Sequence, residues 1–126
     1  AVQQAYARAG IASSDVDVAE VHDCFTVTEL MMIEALGLAA PGAGAALTRD
    51  GSTGIDGSVP VNTGGGLIGF GHPVGATGIK QPLEIFRQMK GQCGAYQVQK
   101  NLEWGITANM GGDDKTVVSL ALRNLT

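Results

Sequence analysis

The stretch NTGGGLIGFGHPVGATG, Asn62–Gly78, decides the fold of this chain. Its glycines surround one histidine, His72, and one proline, Pro73. Glycine adopts backbone conformations that are closed to other residues, and it lets a ligand or another chain segment come close to the main chain. Apolar residues at helical spacing follow from Ile79 to Met89, which predicts a helix. The stretch therefore predicts a tight loop that something approaches closely, directly before a helix.

Composition limits the class of protein. The chain has 126 residues, of which 44% are hydrophobic and 16% charged, as expected for one globular domain with its own core. Its net charge of −4 argues against a nucleic-acid partner, because phosphate-binding surfaces are rich in Lys and Arg. The low cysteine content and the lack of a leader pattern favour the cytoplasm. No membrane span is expected, since no apolar run reaches the roughly 20 residues that a bilayer requires.

The first half of the chain predicts a helix, a strand and a second helix. Residues 2–9 form a short helix that Gly10 ends, and Val16–Val21 form a strand that delivers the segment HDCF. Thr26 and Glu29 have the spacing of a capping box at the start of the second helix. Five residues trace the apolar face expected for this helix: Val27, Leu30, Met31, Ala35 and Leu38.

The second half predicts a long loop, a helix and two strands. Residues 39–60 lack sustained periodicity, and a loop of that length is more often a binding loop than a mere connector. Pro82 is expected in the first turn of the following helix, where its missing N–H costs no hydrogen bond. Strands are predicted over 104–110 and 115–123, joined by the hairpin segment GGDD. The order of elements is that of an α/β layered domain.

Cys24 stands where the first strand meets the second helix. A free cysteine is usually a small buried hydrophobe, and that interpretation stays open from these features alone. At a helix N-terminus, however, the helix dipole favours the thiolate, and His22 and Asp23 add titratable groups beside it. Cys93 has no titratable neighbour in the sequence, so we interpret it as a buried hydrophobe.

His72 is held between Gly71 and Pro73, a rigid setting that fixes the direction of an imidazole. The helix that follows disfavours the imidazolium through its positive N-terminus, so the ring would be able to accept a proton near neutral pH. The alternative is a histidine that only hydrogen-bonds to loop backbone. Both interpretations stay open at this point.

Three other kinds of site are disfavoured. Gly64–Gly69 satisfies the G-x-G-x-x-G pattern of dinucleotide sites, but no helix is predicted to open at Gly69, and Glu84 falls inside a helix instead of at the end of a strand. With two histidines, two cysteines and no Cys-x-x-Cys spacing, no metal site is expected. No serine stands in the G-x-S-x-G turn of a hydrolase.

Three segments together resemble one family: EVHDCF at 20–25, the glycine stretch at 62–78 and NMGG at 109–112. They are similar to the C-terminal half of thiolases, in the branch of sterol-carrier-protein-X thiolases and thiolase-like lipid-transfer proteins. The resemblance spans essentially the whole chain. It implies that residues 1–126 form a thiolase C-terminal domain, a layered mixed β-sheet with helices, whose N-terminal half is not in this chain.

The resemblance also implies an activity. Thiolases join two acyl-CoA thioesters by Claisen condensation, or cleave a 3-oxoacyl-CoA with coenzyme A, as dimers or tetramers. Acyl-CoA and coenzyme A would be substrates, and no bound cofactor or metal is expected. The partners would be the N-terminal thiolase half and a second copy of the whole protein.

Particular residues receive roles from the resemblance. His72 matches the histidine that activates the nucleophilic cysteine and donates to the thioester oxygen. Cys24 matches the acid/base that moves the proton on the α-carbon, and His22 replaces an asparagine that holds a water in the first oxyanion hole. The backbone N–H of Gly111 would help to form the second oxyanion hole. Three further positions would contact the substrate: Gly65, Gly66 and Asn109.

Two departures from the family pattern bear on these roles. Asn109 stands where most thiolases carry a cysteine, which transfers the acid/base role to Cys24. Asp113-Asp114-Lys115 replaces a glycine-rich continuation. Since the nucleophilic cysteine belongs to the N-terminal half, the isolated chain is expected to be inactive. Two alternatives stay open: a thiolase-like aldolase that cleaves steroid side-chain CoA esters, and a non-catalytic module that binds acyl-CoA.

Overall fold

The computed structural model describes residues 1–112 and 115–125. Its elements, in chain order, are α1 (Val2–Ala9), β1 (Val18–Val21), α2 (Thr26–Ala35), α3 (Gly44–Arg49), α4 (Gly66–Phe70), α5 (Thr77–Met89), β2 (Trp104–Gly111) and β3 (Thr116–Arg123). Single turns of 3-10 helix precede β1 and follow α5. The predicted α/β class is confirmed.

The three strands form a mixed sheet in the order β1-β2-β3. β1 pairs parallel with β2, and β2 pairs antiparallel with β3. Side chains alternate between the two faces of a strand, so Ala19 and Val21 pack in the cluster with α1 and α2, whereas Val18 packs with Ile85 of α5. The sheet therefore lies between two helical layers, with all of β1 buried.

The start of α2 differs from the prediction. Phe25 is the N-cap residue, and no side chain caps the helix, so the capping box of Thr26 and Glu29 is wrong. Glu29 instead accepts a hydrogen bond from Asn62 Nδ2 at 3.3 Å. Thr26 already has helical backbone as the first residue of α2, whereas a capping residue must stand just outside the helix.

The buried face of α2 also differs from the predicted one. Val27 and Met31 are exposed, whereas Met32 and Ile33 are buried in the core with Leu36. The segment is apolar on more than one side, and periodicity alone does not choose between two apolar faces. Contact with Val21 and the other core residues selects the observed face.

The predicted loop 39–60 contains the short helix α3. Its first residue, Gly44, donates its backbone N–H to Glu34 Oε1 at 2.9 Å, which fastens α3 to α2. β1 begins at Val18, later than predicted, while β2 and β3 lie within one residue of their predicted bounds. Of the hairpin segment GGDD, the two aspartates lie outside the described residues.

The long helix α5 is packed with its polar side inward. Its buried residues are Thr77, Gln81, Glu84, Ile85 and Gln88. The apolar residues that predicted the helix, Ile79, Leu83 and Phe86, are exposed. Pro82 lies inside the helix and beyond its first turn, so its expected position is wrong. Having no N–H, it leaves the carbonyl of the residue four positions earlier without that helical bond.

Cys93 is buried, as expected, but it does have a titratable neighbour. Its Sγ lies 3.6 Å from Glu84 Oε1, and Tyr96 donates its hydroxyl to the same oxygen at 2.9 Å. Burial, followed by the Glu84 charge, raises the pKa of the Cys93 thiol. The carboxylate comes from α5, a different element, so the sequence around Cys93 does not show it.

Glu20 is a buried carboxylate between β1 and α5. It is 1% exposed, and Lys80 Nζ donates to its Oε2 at 3.0 Å. Burial raises the pKa of Glu20 to about 7, while the Lys80 ammonium acts in the opposite direction and the Glu84 and Asp23 charges add to the rise. Within the described residues, Glu20 Oε1 and both amide atoms of Gln81 have no hydrogen-bond partner.

We expect Gly105→Ala to destabilise the protein by about 1–3 kcal/mol. A Cβ on Gly105 would collide with Cγ2 of the fully buried Ile85, so α5 would be pushed off β2. Gly111→Ala is the matched control on the same strand, since a Cβ there meets no atom within 4 Å. Urea unfolding followed by circular dichroism measures the difference. Equal stabilities of the two variants would contradict the close packing of α5 on β2.

We expect Glu20 to make stability fall as the pH rises. Its carboxyl ionises near 4.5 in the unfolded chain but at about 7 in the folded protein, so between these values the unfolded state releases a proton that the folded state keeps. The stabilisation is complete below the lower value and is lost as the pH rises through the higher one.

Glu20→Gln should remove this dependence, which amounts to about 3 kcal/mol. Glu103→Gln, in an exposed pair with Arg123, is the control and should retain it. The free energy of unfolding measured from about pH 4 to about pH 8 checks this. Parallel curves for wild type and Glu20→Gln would refute the assignment.

Candidate active site

Two clefts open where the chain leaves β1. The larger, of about 740 Å³, includes Asp23, Glu29, Asn62, Gly65 and Ile68 in its lining. The smaller, of about 330 Å³, includes His22, Thr77, Asn109 and Gly111. Cys24, Phe25 and His72 line both clefts. The thiol and the imidazole singled out in the sequence therefore lie together at the junction of the two.

His22 is fixed to the neighbouring strand. Its backbone N–H donates to the carbonyl of Ala108 at 2.9 Å, which continues the β1–β2 ladder by one residue. Its Nδ1 lies 3.0 Å from Asn109 Oδ1, and because a carboxamide oxygen only accepts, Nδ1 carries the hydrogen. The ring is nearly buried. In its neutral form it keeps Nε2 as a hydrogen-bond acceptor.

His72 lies on the loop between α4 and α5 and is exposed. Its Nδ1 lies 2.6 Å from Oγ1 of Thr77, the first residue of α5. Its ring meets the ring of His22 edge to face, with centroids 5.0 Å apart and planes at 71°. With Nδ1 engaged by Thr77, Nε2 is the ring atom left to exchange a proton.

Cys24 is half-buried, one residue before the N-cap of α2. Its Sγ lies 3.8 Å from Thr28 Oγ1, at the long end of the range for a sulfur hydrogen bond. A weakly held thiol in a cleft wall is open to a ligand from both sides.

Two glycines of the loop make room for other side chains of this chain. The space beside Gly66 is filled by the Asp23 carboxylate, and that beside Gly64 by the Phe70 ring. Asp23 Oδ1 also accepts the N–H of Leu67 at 3.1 Å, which holds α4 in place. Of the two glycines predicted to contact substrate, only Gly65 lines a cleft.

Asn62 is a site residue that sequence reasoning missed. Its backbone φ is +50°, in the left-handed region that Asn tolerates better than most residues. Its Oδ1 accepts the N–H of Val21 at 2.8 Å, and its Nδ2 donates to Glu29. Asn62 thus joins the end of β1 to α2 and to the glycine loop. Its place two residues before the first glycine of the loop, Gly64, was the available signal.

Within residues 1–112 and 115–125, no three His, Cys, Asp or Glu side chains are grouped so as to hold a metal ion. None of the helices in the same ranges has both the length and the apolar character needed to cross a bilayer.

Known proteins are similar to this chain in sequence and fold. The chain matches the family described as thiolase C-terminal domain-like over residues 1–124. It is 43% identical over 116 residues to the acetyl-CoA acetyltransferase of Methanothermobacter thermautotrophicus, and this alignment covers 92% of this chain and 30% of that protein. It is 42% identical over 120 residues to sterol carrier protein 2 of Rattus norvegicus, covering 95% and 22% respectively.

A solved structure, Ltp2-ChsH2(DUF35) aldolase, superposes with a TM-score of 0.80 at 28% identity, covering 97% of this chain and 30% of that one. This chain therefore spans less than a third of the length of each of these three proteins. The family match includes the HDCF, GHP and NMGG segments, which the structure brings to adjoining clefts, and the chain belongs to the thiolase C-terminal domain-like family.

Proposed function

We propose that this chain is the C-terminal catalytic domain of a thiolase-like acyltransferase that acts on acyl-CoA thioesters, by Claisen condensation or by CoA-dependent thiolysis. The observation that carries the proposal is the meeting of Cys24 and His72 on the wall of one cleft that also contains His22 and Gly111. Claisen chemistry needs an acid/base beside the α-carbon and hydrogen-bond donors at the enolate oxygen.

The geometry supports a division of roles. Cys24, held only weakly by Thr28, would take the proton from the α-carbon. His72 would present Nε2 to the thioester, because Thr77 occupies its Nδ1. His22 would accept one hydrogen of a water at Nε2, and the other hydrogen of that water would point to the thioester oxygen. Gly111 would add a backbone N–H.

The proposal includes an N-terminal thiolase half as partner. Exposed apolar side chains lie on α4, on the His72 loop (residues 71–76) and on one face of α5: Ile68, Val74, Ile79, Leu83 and Phe86. Contiguous exposed apolar surface usually marks an interaction site. The N-terminal half would cover it, and this would bring the nucleophilic cysteine to His72, since Val74 belongs to the same loop. The share of the relatives that this chain leaves unmatched is large enough for such a half.

In the complete protein, meaning this chain combined with an N-terminal thiolase half, Cys24→Ala and His72→Asn should each lower kcat for thiolysis by about 100-fold or more. Cys93→Ala is the matched control and should keep near wild-type kcat, because Cys93 lies away from both clefts. Loss of 3-oxoacyl-CoA absorbance on adding coenzyme A measures the rate. A Cys24→Ala protein with full activity would contradict the acid/base assignment and favour a binding module.

The isolated 126-residue chain should show no CoA-dependent cleavage of a 3-oxoacyl-CoA, since no residue here is assigned to hold the acyl group. The same assay at high protein concentration checks this, with the complete protein as the positive control. Turnover by the chain alone would mean that one of its own groups is the acyl acceptor.

A thiolase-like aldolase is the second candidate, because the superposed structure carries that name. Cys24 favours the thiolase, because it matches the acid/base cysteine of the thiolase branch that the sequence resembles. Incubation of the complete protein with a steroid whose side chain is a 3-hydroxyacyl-CoA thioester distinguishes the two activities. Release of a ketone without added coenzyme A would favour the aldolase.

A further inference from the structure

We propose that Lys80 is a positioning residue for His72 and that it acts through the ring of Phe70. The link to turnover rests on the function proposed above, whereas the link to the position of the His72 loop does not. Nothing in the sequence around Lys80 marks it, because the groups it contacts lie on β1 and α4.

Lys80 joins three elements through one ammonium. From α5 it donates to Glu20 Oε2 on β1 at 3.0 Å and stands 4.2 Å from the centroid of the Phe70 ring at the end of α4. The side chains of Lys80 and Glu20 are 22% and 2% exposed. Lys80 is partly buried, but Phe70 is 41% exposed, so the attraction between the ammonium and the ring is intermediate between that of a surface contact and that of a fully desolvated one.

Phe70 is held from its other sides as well. Its ring occupies the space beside Gly64, where a Cβ would collide with it. It meets Tyr96 edge to face, with centroids 6.1 Å apart, and Tyr96 is in turn fixed by its hydroxyl bond to Glu84. These contacts fix the Phe70 ring at the end of α4, where the His72 loop begins.

The His72 loop has few anchors of its own. Residues 71–76 are exposed; the ring of His72 contacts that of His22, and the carbonyl of Pro73 accepts the N–H groups of Ala76 and Thr77. Gly71, between Phe70 and His72, has a φ of +81° and no atom within 4 Å of an added Cβ. The loop is held at one end by Phe70 and at the other by the contact of His72 with Thr77. Lys80 lies one turn beyond Thr77 on α5 and so clamps the two ends together.

The following variants distinguish this role of Lys80 from simple neutralisation of the Glu20 charge. Lys80→Met alone leaves a buried carboxylate without its partner, which threatens the fold. Lys80→Met combined with Glu20→Gln removes both charges and tests the ring contact. Glu20→Gln alone keeps an acceptor for Lys80, and Lys80→Arg keeps the cation over the ring. Lys90→Met, at the exposed end of the same helix, is the control for loss of one positive charge.

The first readout is amide hydrogen exchange at Ala76 and Thr77 in the complete protein, which needs no turnover. Their N–H groups donate to the carbonyl of Pro73 at 2.8 and 3.3 Å, so their exchange reports opening of the His72 loop. The Lys80→Met/Glu20→Gln protein should exchange there about five- to tenfold faster than wild type. Phe70→Leu should give at least the same increase, because it removes the contact with Lys80 and also the contact with Tyr96. Adding the Lys80→Met/Glu20→Gln changes to Phe70→Leu should give little more, because the ring that Lys80 contacts is already absent. Glu20→Gln, Lys80→Arg and Lys90→Met should exchange as wild type.

The second readout is thiolysis. The same variants that loosen the loop should lower kcat about five- to tenfold with little change in KM, and Lys80→Arg should restore it. Unchanged exchange in the Lys80→Met/Glu20→Gln protein, or equal acceleration by Glu20→Gln alone, would overturn the proposal. If the wild-type protein shows no thiolysis, the proposed function fails, and the exchange result still decides the role of Lys80.

Discussion

The parallel pairing of β1 with β2 is the constraint on which the site depends. Its register sets Val21 opposite Ala108, so the next residues along, His22 and Asn109, meet at the same edge of the sheet. The hydrogen bond between their side chains follows from that register. A slip of one residue would turn His22 to the other face of the sheet. The imidazole would then lie in the apolar cluster with α2 instead of beside His72.

The inverted packing of α5 connects the fold to the function. A surface helix normally buries its apolar stripe, but α5 buries glutamines and a glutamate and leaves Ile79 and Phe86 exposed. The polar side is stable inside because much of it is bonded: Gln88 alone joins Thr63, Tyr96 and Val98. Its exposed apolar side is the surface that the proposed N-terminal half would cover.

The sequence predicted elements and segments better than contacts. The α/β class, the strands, and the closeness of Cys24 to His72 followed from local patterns and from a resemblance to a family. The prediction of the buried face of α2 was wrong, because the helix has two apolar faces and tertiary contacts select the one that is buried. Gly65 and Gly66 were predicted to contact the substrate, yet Gly66 makes room for Asp23. The pairing of Glu20 with Lys80 joins residues 60 positions apart, which no local pattern reveals.

The two histidines are held in opposite ways, and this difference fits a site that is completed by a second surface. His22 is nearly buried, and both its backbone and its Nδ1 are bonded to β2, so its direction is set by the sheet. His72 is exposed, and its ring contacts Thr77 and the edge of the His22 ring. Hydrogen bonds that direct a reaction act most strongly where water is excluded. The sheet therefore supplies the fixed half of the polar geometry, and the exposed loop lies where a covering partner would both shield His72 from water and bring the acyl group to it.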